Sequence, residues 1–449
     1  MTTTESFNLT ILDKKLIKIQ QQDDGDPHVI SPSNLDLLSG RFPVTYLFIY
    51  AHSSPSSSNF LASLSESLRI FYPFAARIAH NPNSGDLEIV CGDTSTGGVL
   101  FVHAAANVSL DDFDLYDLDR ILEGKLVPVG DTDLGFKIQI TTFACGSTAV
   151  TFTFDHLLGD ASAFAKFLST FSEIALRKPV SCSPDHTRNL KPRNPPVYDP
   201  AMDDSFVACT MEQIRNMPTI ALPLIKRLYR VEKASIERLQ GLAGENGTKR
   251  TKIEAFSSYI WKIMAASIKN KGKRCRMGWL VDGRRRMSSK SMENYIGNVV
   301  SIASGEMEVR AIRESSIADM AETVHRSISE VTVESHFRNL IDWIECKKRA
   351  GGLVSSKLVL GDGGDCPCIV VSSGRRFPVR EVDLGFGNPV LGTVCSSVER
   401  LGVGYINQRE GGSGDGSWTV SVILWREMVD AMESHPDSIF RPLHHHNSY

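Results

Sequence analysis

Six of the chain's twenty prolines lie within residues 179–200: Pro179, Pro184, Pro192, Pro195, Pro196 and Pro200. Proline has no N–H to donate and a fixed φ, so this density excludes a helix interior or a central strand there. The segment reads as a long crossover that divides the 449 residues into two parts of domain size. The expected division is an N-terminal domain over 1–178, a crossover over 179–215 and a C-terminal domain over 216–449. Both parts mix strand-period and helix-period segments. The expected class is therefore α+β, with two domains of related build, each a sheet layered with helices.

In the first part, residues 7–20 alternate enough for an edge strand, and 44–50 reads as a buried strand. Ser33-Asn34-Leu35-Asp36 belongs to a turn-rich entry. A helix begins near Ser58, with Phe60, Leu61, Leu64, Leu68 and Phe71 on one face, and Pro73 limits it. Residues 87–91 and 98–104 read as two strands around the turn at Gly92-Asp93. The acidic run 111–119 reads as a solvated loop or helix start. Residues 136–144 and 148–154 read as paired strands. In the second part the periods predict helices over 235–242, 253–268, 317–331 and 337–349, and one beginning at 426–432. Strands are expected at 277–282, 368–373, 392–395, 403–407 and 418–424, with the glycine-rich stretch 411–416 as a hairpin tip.

The change of period around residue 155 marks the candidate site. Val150, Phe152 and Phe154 alternate with Thr151 and Thr153, the pattern of a half-buried strand. After Gly159-Asp160, Phe164, Phe167, Leu168, Phe171 and Ile174 recur at helical spacing. His156 thus sits where a strand ends and a turn into a helix begins, a position from which a rigid support presents a side chain to a cleft. It is the one histidine of twelve with an aspartate four residues on. The spacing alone is equally met by a satisfied strand-end histidine with Asp160 as the N-cap of the next helix.

Composition narrows the class. Hydrophobic residues make up 42% and charged residues 22%, with a net charge of −3, which leaves no electrostatic footprint for nucleic acid. Basic clusters at 269–276 and 284–286 read as solvated surface or as contacts for an anionic ligand. No run approaches 18 apolar residues, and residues 1–6 lack the pattern of a secretory signal, so a cytoplasmic protein without a membrane helix is expected. The nine cysteines are scattered without metal-ligand spacing, and Cys366-Pro367-Cys368 is the one close pair. They read as reduced thiols, and no metal site is expected.

His156-Leu157-Leu158-Gly159-Asp160 matches HxxxD, and Asp383-Leu384-Gly385-Phe386-Gly387 resembles DFGWG. Between and before them stand Ser33-Asn34-Leu35-Asp36, Tyr72-Pro73-Phe74-Ala75-Ala76-Arg77-Ile78, Ser257-Ser258-Tyr259-Ile260-Trp261-Lys262, Val281-Asp282-Gly283-Arg284 and Tyr295-Ile296-Gly297-Asn298. In this order, over more than 350 residues, these stretches resemble the plant BAHD acyl-CoA-dependent acyltransferases. Leu340-Ile341-Asp342-Trp343 and the end at Phe440-Arg441-Pro442-Leu443 look closest to the coniferyl-alcohol-acyltransferase-like branch. The resemblance implies two chloramphenicol-acetyltransferase-like domains with a channel at their interface, His156 at its centre, acyl-CoA entering from one face and a small-molecule acceptor from the other. It implies a monomer with acyl-CoA as co-substrate and no bound cofactor.

An alcohol is a weak nucleophile with its proton on, so attack on a thioester needs a base near neutral pKa. The resemblance gives that role to His156 and names Asp383 with it among the active-site residues, while implying that Asp383 is structural and lies at the far side of the channel. It makes Asp160 and Arg284 a charge-assisted pair that supports the site and not part of a triad. Ser257 and Gly385 are implied as CoA-channel residues. Departures are also visible. Ser372-Ser373-Gly374 stands where relatives often have Thr-Ser-Trp, so the oxyanion must find another donor, with Ser373 and a backbone N–H as candidates. Arg376 aligns with an arginine that binds carboxylated acceptors in some relatives, and is otherwise a channel-mouth charge. The expected activity is O-acylation with an acetyl or aromatic donor on an acceptor such as a phenylpropanoid alcohol. The alternatives are N-acylation of an amine, a lyase or CoA-independent transferase on the same scaffold, and a binding homologue without catalysis.

Overall fold

A computed structural model describes residues 7–19, 28–51, 57–92, 95, 97–122, 125–215, 223–245, 247–270, 273–287, 290–348, 352–360, 366–374, 377–396 and 403–444. In chain order its strands are β1 (Leu9–Ile17), β2 (His28–Ile30), β3 (Pro43–Tyr50), β4 (Arg77–His80), β5 (Leu87–Cys91), β6 (Val99–Ala106), β7 (Phe136–Thr142), β8 (Thr148–Asp155), β9 (Phe206–Cys209), β10 (Leu224–Val231), β11 (Arg274–Asp282), β12 (Val300–Glu308), β13 (Leu353–Ser356), β14 (Cys368–Ser373), β15 (Leu391–Val394), β16 (Gly404–Glu410), β17 (Trp418–Trp425) and β18 (Arg441–Pro442). Two large mixed sheets organise them, in the orders β1-β6-β7-β8-β3-β15 and β12-β11-β14-β16-β17-β10-β18. Smaller sheets are β2-β5-β4 and β13-β9. The class is α+β.

The first sheet is covered on its core face by the helices Ser57–Ile70 and Ala161–Ala175. Phe74, Phe136, Phe152, Phe154, Phe164 and Phe167 form one aromatic cluster there, with Phe154 and Phe164 ring centres 4.6 Å apart. Aromatic pairs at such distances add to their area burial. The second sheet packs on Lys252–Ser267, which buries Phe256, Ile260 and Met264, with Ile317–Val331 and Glu334–Lys347 around it.

Several strands differ from their sequence reading. Residues 87–91 and 99–106 do not pair with each other: β5 joins β2 and β4, whereas β6 lies between β1 and β7. Ser33 to Asp36 opens a short helix, Asn34–Ser39, through a capping box in which the Asp36 carboxylate accepts from the Ser33 N–H at 2.7 Å. β10 and β12 are not visible in the sequence pattern. Part of the acidic run 111–119 is half-buried and paired: Asp117 pairs with Arg227 of β10 at 2.9 Å, and Asp119 accepts from the Lys226 N–H at 2.8 Å. Residues 391–394, in the second half of the sequence, add β15 to the edge of the first sheet beside β3.

The crossover runs without long regular structure and is held by side chains instead. Asp342, 1% exposed on its helix, accepts from the N–H groups of Arg193 and Val197 at 2.8 Å each and from Arg193 Nε at 2.5 Å. Replacing Asp342 by alanine leaves two backbone donors and a guanidinium without their acceptor. The expected loss is about 2–4 kcal/mol of stability. Thermal unfolding of Asp342→Ala, with limited proteolysis mapped to 185–200, checks this; an unchanged melting temperature and cleavage pattern would contradict the anchoring role.

Candidate active site

β8 ends at Asp155, and its side chain caps the turn that follows: Oδ1 accepts from the Leu157 N–H at 2.9 Å while Oδ2 accepts from Arg41 Nε at 3.0 Å. Burial pushes the Asp155 carboxyl above its usual pKa against the opposing pull of Arg41. His156, Leu157 and Leu158 form one 3-10 turn, and Gly159 leads into Asp160. A Cβ at Gly159 would stand 2.8 Å from the Ala163 Cβ, so the tight approach of turn and helix requires glycine here.

Asp160 is 3% exposed, and both its oxygens are fully used. Oδ1 accepts from the N–H groups of Ser162 and Ala163, each at 3.0 Å, and so caps the Ala161–Ala175 helix. Oδ2 accepts from Arg284 Nη1 at 2.7 Å and from the Val299 N–H at 3.0 Å. Arg284 also donates through Nη2 to the Gly297 carbonyl at 2.8 Å. Burial alone would raise the Asp160 pKa, but the guanidinium and the N–H donors together hold it below the usual value.

A second buried carboxylate braces the same turn. Asp36 is 0% exposed and accepts through Oδ1 from Arg188 Nη1, the Asn298 N–H and Asn298 Nδ2, each at 2.8 Å. Arg188 Nη2 donates to the Leu158 carbonyl at 2.6 Å. Asn298 Nδ2 also reaches the His156 carbonyl at 2.9 Å. Asp36, Arg188 and Asn298 were not singled out as site residues from the sequence. The Ser-x-x-Asp of residues 33–36 and the Tyr-Ile-Gly-Asn of 295–298 carried the available signal.

His156 itself is held at its backbone by the Phe42 carbonyl, 3.0 Å from its N–H, and at its ring by Phe42, with ring centres 4.7 Å apart. Its Nδ1 is buried without a hydrogen-bond partner among the described residues. Burial lowers the His156 pKa below 6.5, opposed by the negative field of Asp160, by its own carbonyl and by the Asn298 side chain. A histidine so placed is neutral at pH 7 and has one ring nitrogen left for chemistry.

The remaining candidates separate. Asp383 Oδ1 accepts from the N–H groups of Gly385, Phe386 and Gly387 at 2.9, 3.1 and 2.9 Å, which folds its own loop. That loop docks on Ser172, whose hydroxyl accepts from the Asp383 N–H at 3.1 Å. Ser172 and Asp160 lie at opposite ends of one helix, roughly 18 Å apart at about 1.5 Å per residue. Asp383 is therefore not brought to His156, and its carboxylate is a loop support. Gly385 is exposed, at φ 90°, in the same loop. Ser257 is 0% exposed inside the Lys252–Ser267 helix, and its hydroxyl oxygen is buried without a hydrogen-bond partner among the described residues. Ser373 is exposed at the end of β14 and accepts from Gln408 Nε2 at 2.5 Å, which leaves its hydroxyl proton free to donate. Arg376 lies outside the described residues. A cleft of about 770 Å³ lies beside Ser33, Asn34, Tyr72, His186 and Arg188, but His156 is not in its wall. No metal-binding group of histidine, cysteine and acidic side chains occurs among the described residues, and no described helix is long and apolar enough to cross a membrane.

Known proteins resemble the chain over most of its length. The chain is 25% identical to hydroxycinnamoyltransferase 2 of Oryza sativa subsp. japonica, covering 89% of this chain and 92% of that one. It is 26% identical to anthranilate N-benzoyltransferase protein 1 of Dianthus caryophyllus, covering 83% and 84%. It is 25% identical to the omega-hydroxypalmitate O-feruloyl transferase of Arabidopsis thaliana, covering 73% and 71%. Among solved structures, vinorine synthase superposes with a TM-score of 0.69 at 18% identity over 94% of this chain and 96% of that one. F. graminearum TRI101 complexed with ethyl coenzyme A does so with 0.73 at 15% identity over 92% and 98%. These likenesses establish the two-domain α+β fold. The family model described as "Transferase family" matches residues 7–439, nearly the whole length, and the chain accordingly belongs to that family, the BAHD acyltransferases that use CoA thioesters as co-substrates.

Proposed function

We propose that this acyltransferase moves an acetyl or aromatic acyl group from CoA to the hydroxyl of a small acceptor such as a phenylpropanoid alcohol, with His156 as general base. The observation that carries the reading is His156 itself: a neutral imidazole on a braced turn, with Nδ1 turned into the protein and its pKa held below 6.5. The other ring nitrogen, Nε2, takes the acceptor O–H proton as the oxygen bonds to the thioester carbon. The carbonyl π electrons move to oxygen, and the Ser373 hydroxyl is the candidate donor to that oxyanion. Collapse breaks the C–S bond, and the imidazolium returns its proton to the CoA thiolate. No covalent acyl-enzyme is required.

Asp160 and Arg284 act as positioning residues. Each Asp160 oxygen already has two donors, so the carboxylate has no lone pair to offer the imidazole; it acts through the backbone and through its field. A second reading, N-acylation of an amine, draws on the anthranilate N-benzoyltransferase name among the relatives. An amine acceptor presents the same proton to the same base.

The test is CoA release by purified protein with acyl-CoA donors crossed against alcohols and amines. Release that needs both substrates, and that falls by about 10²–10⁴ in His156→Ala, is expected. Acceptor-dependent release that survives this substitution would remove His156 as the base. The pH profile follows from the direction of the pKa shift. The neutral imidazole is the active form, so the acid limb of kcat/KM lies below the pH range in which an ordinary histidine titrates.

Asp160→Asn keeps the helix cap but removes the anion that favours the imidazolium. The His156 pKa therefore drops further, and the acid limb moves to lower pH. A kcat decrease of about tenfold or more accompanies it through misplacement of the turn. An acid limb that stays in place would show that Asp160 is a cap and nothing more.

A further inference from the structure

Five arginines are buried in the described structure: Arg188, Arg227, Arg250, Arg284 and Arg409. Four of them meet carboxylates, Arg188 with Asp36 at 2.8 Å, Arg227 with Asp117 at 2.9 Å, Arg284 with Asp160 at 2.7 Å, and Arg250 with Glu322. Arg409 is the exception among the described residues. It is 2% exposed on β16, its Nε donates to Asn407 Oδ1 at 2.7 Å, and its Nη1 is buried with no acceptor. The guanidinium carbon is 4.3 Å from the Phe377 ring centre and 4.8 Å from that of Tyr46, whose side chain also shares a hydrogen bond with it. Aromatic faces attract a cation but do not neutralise it, and a buried charge without a counter-charge is costly.

Position adds to the argument. A Cβ on Gly374 would stand 2.7 Å from the Arg409 Cγ, so the missing side chain after Ser372-Ser373 is what gives this arginine its room. Tyr46 packs between Arg409 and the catalytic turn: its ring is 5.0 Å from that of Phe164, whose N–H donates to the Asp160 carbonyl, and it stacks on Phe154, at 6.1 Å, just ahead of Asp155-His156. Arg409 is thus a fixed cation where β14 and β16 of the second sheet face β3 of the first, and Tyr46 and then Phe154 link it to the strand end that carries His156.

We propose that Arg409 determines specificity by binding a carboxylate carried by one of the two substrates, either the distal carboxylate of a dicarboxylic acyl thioester or the carboxylate of a hydroxy acid acceptor. This inference rests on the acyl-transfer reading. A planar guanidinium whose Nη1 has no acceptor matches a carboxylate in charge and in geometry.

The experiment measures kcat/KM for two matched pairs: malonyl-CoA against propionyl-CoA with a neutral alcohol, and a hydroxy acid against its methyl ester with acetyl-CoA. The wild type is expected to prefer the carboxylated member of one pair by more than tenfold, and the pair identifies which substrate carries the anion. In Arg409→Met the ratio within that pair falls at least tenfold, mainly through KM, and Arg409→Lys recovers part of it. No preference in either pair of the wild type overturns the proposal, whether or not the variants fold. Equal losses for both members of a pair in Arg409→Met also overturn it. If no donor gives CoA release at all, it is the acyl-transfer reading that fails. Calorimetric titration of wild type and Arg409→Lys with malonyl-CoA against propionyl-CoA, and with the hydroxy acid against its methyl ester, then decides Arg409 separately: tighter binding of the carboxylated member of one pair, weakened in the variant, supports it, and equal binding within both pairs refutes it.

Discussion

The ion pair between Asp160 and Arg284 is the constraint around which the site is built. The two residues are 124 positions apart, and both are buried. Removing either one leaves an uncompensated charge, which typically costs about 3–5 kcal/mol. The pair is more than an ion pair because every remaining valence is used. The carboxylate also caps a helix and holds the Val299 N–H, and the guanidinium also holds the Gly297 carbonyl. Asp36 repeats the arrangement with Arg188 and Asn298 on the other side of the turn. The backbone around His156 is thereby fixed from the first half of the chain, the crossover and the second half together, and the site exists only when all three are in place.

This arrangement of a histidine with an aspartate four residues on is not that of a triad. In a triad the carboxylate accepts from the imidazole and stabilises its cation directly. Here the Asp160 oxygens are saturated by four other donors, and the imidazole feels only the field of the carboxylate. Burial is the larger effect and keeps the ring neutral. In the proposed reaction, a neutral base adjusted downward suits an acceptor whose proton needs removal only as the new bond forms, and the weaker field avoids trapping the imidazolium before it returns its proton to sulfur.

The strand, turn and helix around His156 were legible in the sequence because the hydrophobic period changes from two to 3.6 within six residues. β10 and β12 were not. Lys226 and Arg227 interrupt the apolar pattern of β10, and they are buried there because Asp117 and Asp119, more than 100 residues earlier, meet them. The same contact explains why the acidic run looked solvated. β12 ends the second sheet, so its outer half alternates with Ser, Gly and Glu and has no continuous apolar face. The helix at Asn34–Ser39 is too short for a period and shows only its capping box. At the site, motif spacing pointed to His156, Asp160 and Arg284, whereas Asp36, Arg188 and Asn298 act through contacts over 142 to 262 residues that no local window contains.

The same long-range logic bears on how the two sheets are coupled. β15 comes from the second half of the chain but completes the first sheet, pairing Val394 with Tyr46. Just beyond it, the Ser396 hydroxyl accepts from the Thr45 N–H at 2.9 Å and the Cys395 N–H donates to the Thr45 carbonyl at 2.9 Å. The loop that carries Asp383 lies between β14 and β15 and is tied to Ser172 and, through the Val382 carbonyl, to the Tyr50 hydroxyl. Ser373 and Phe377, one at the end of β14 and the other just past it, are therefore joined by chain and by hydrogen bonds to the sheet that bears His156. In the proposed reaction, an oxyanion donor on one sheet and a base on the other need fixed relative placement if electrostatic stabilisation is to cost no reorganisation. The strand exchange supplies that fixity: separating the sheets would require breaking β15 from β3, so the site behaves as one preorganised body and not as a cleft between independently moving domains.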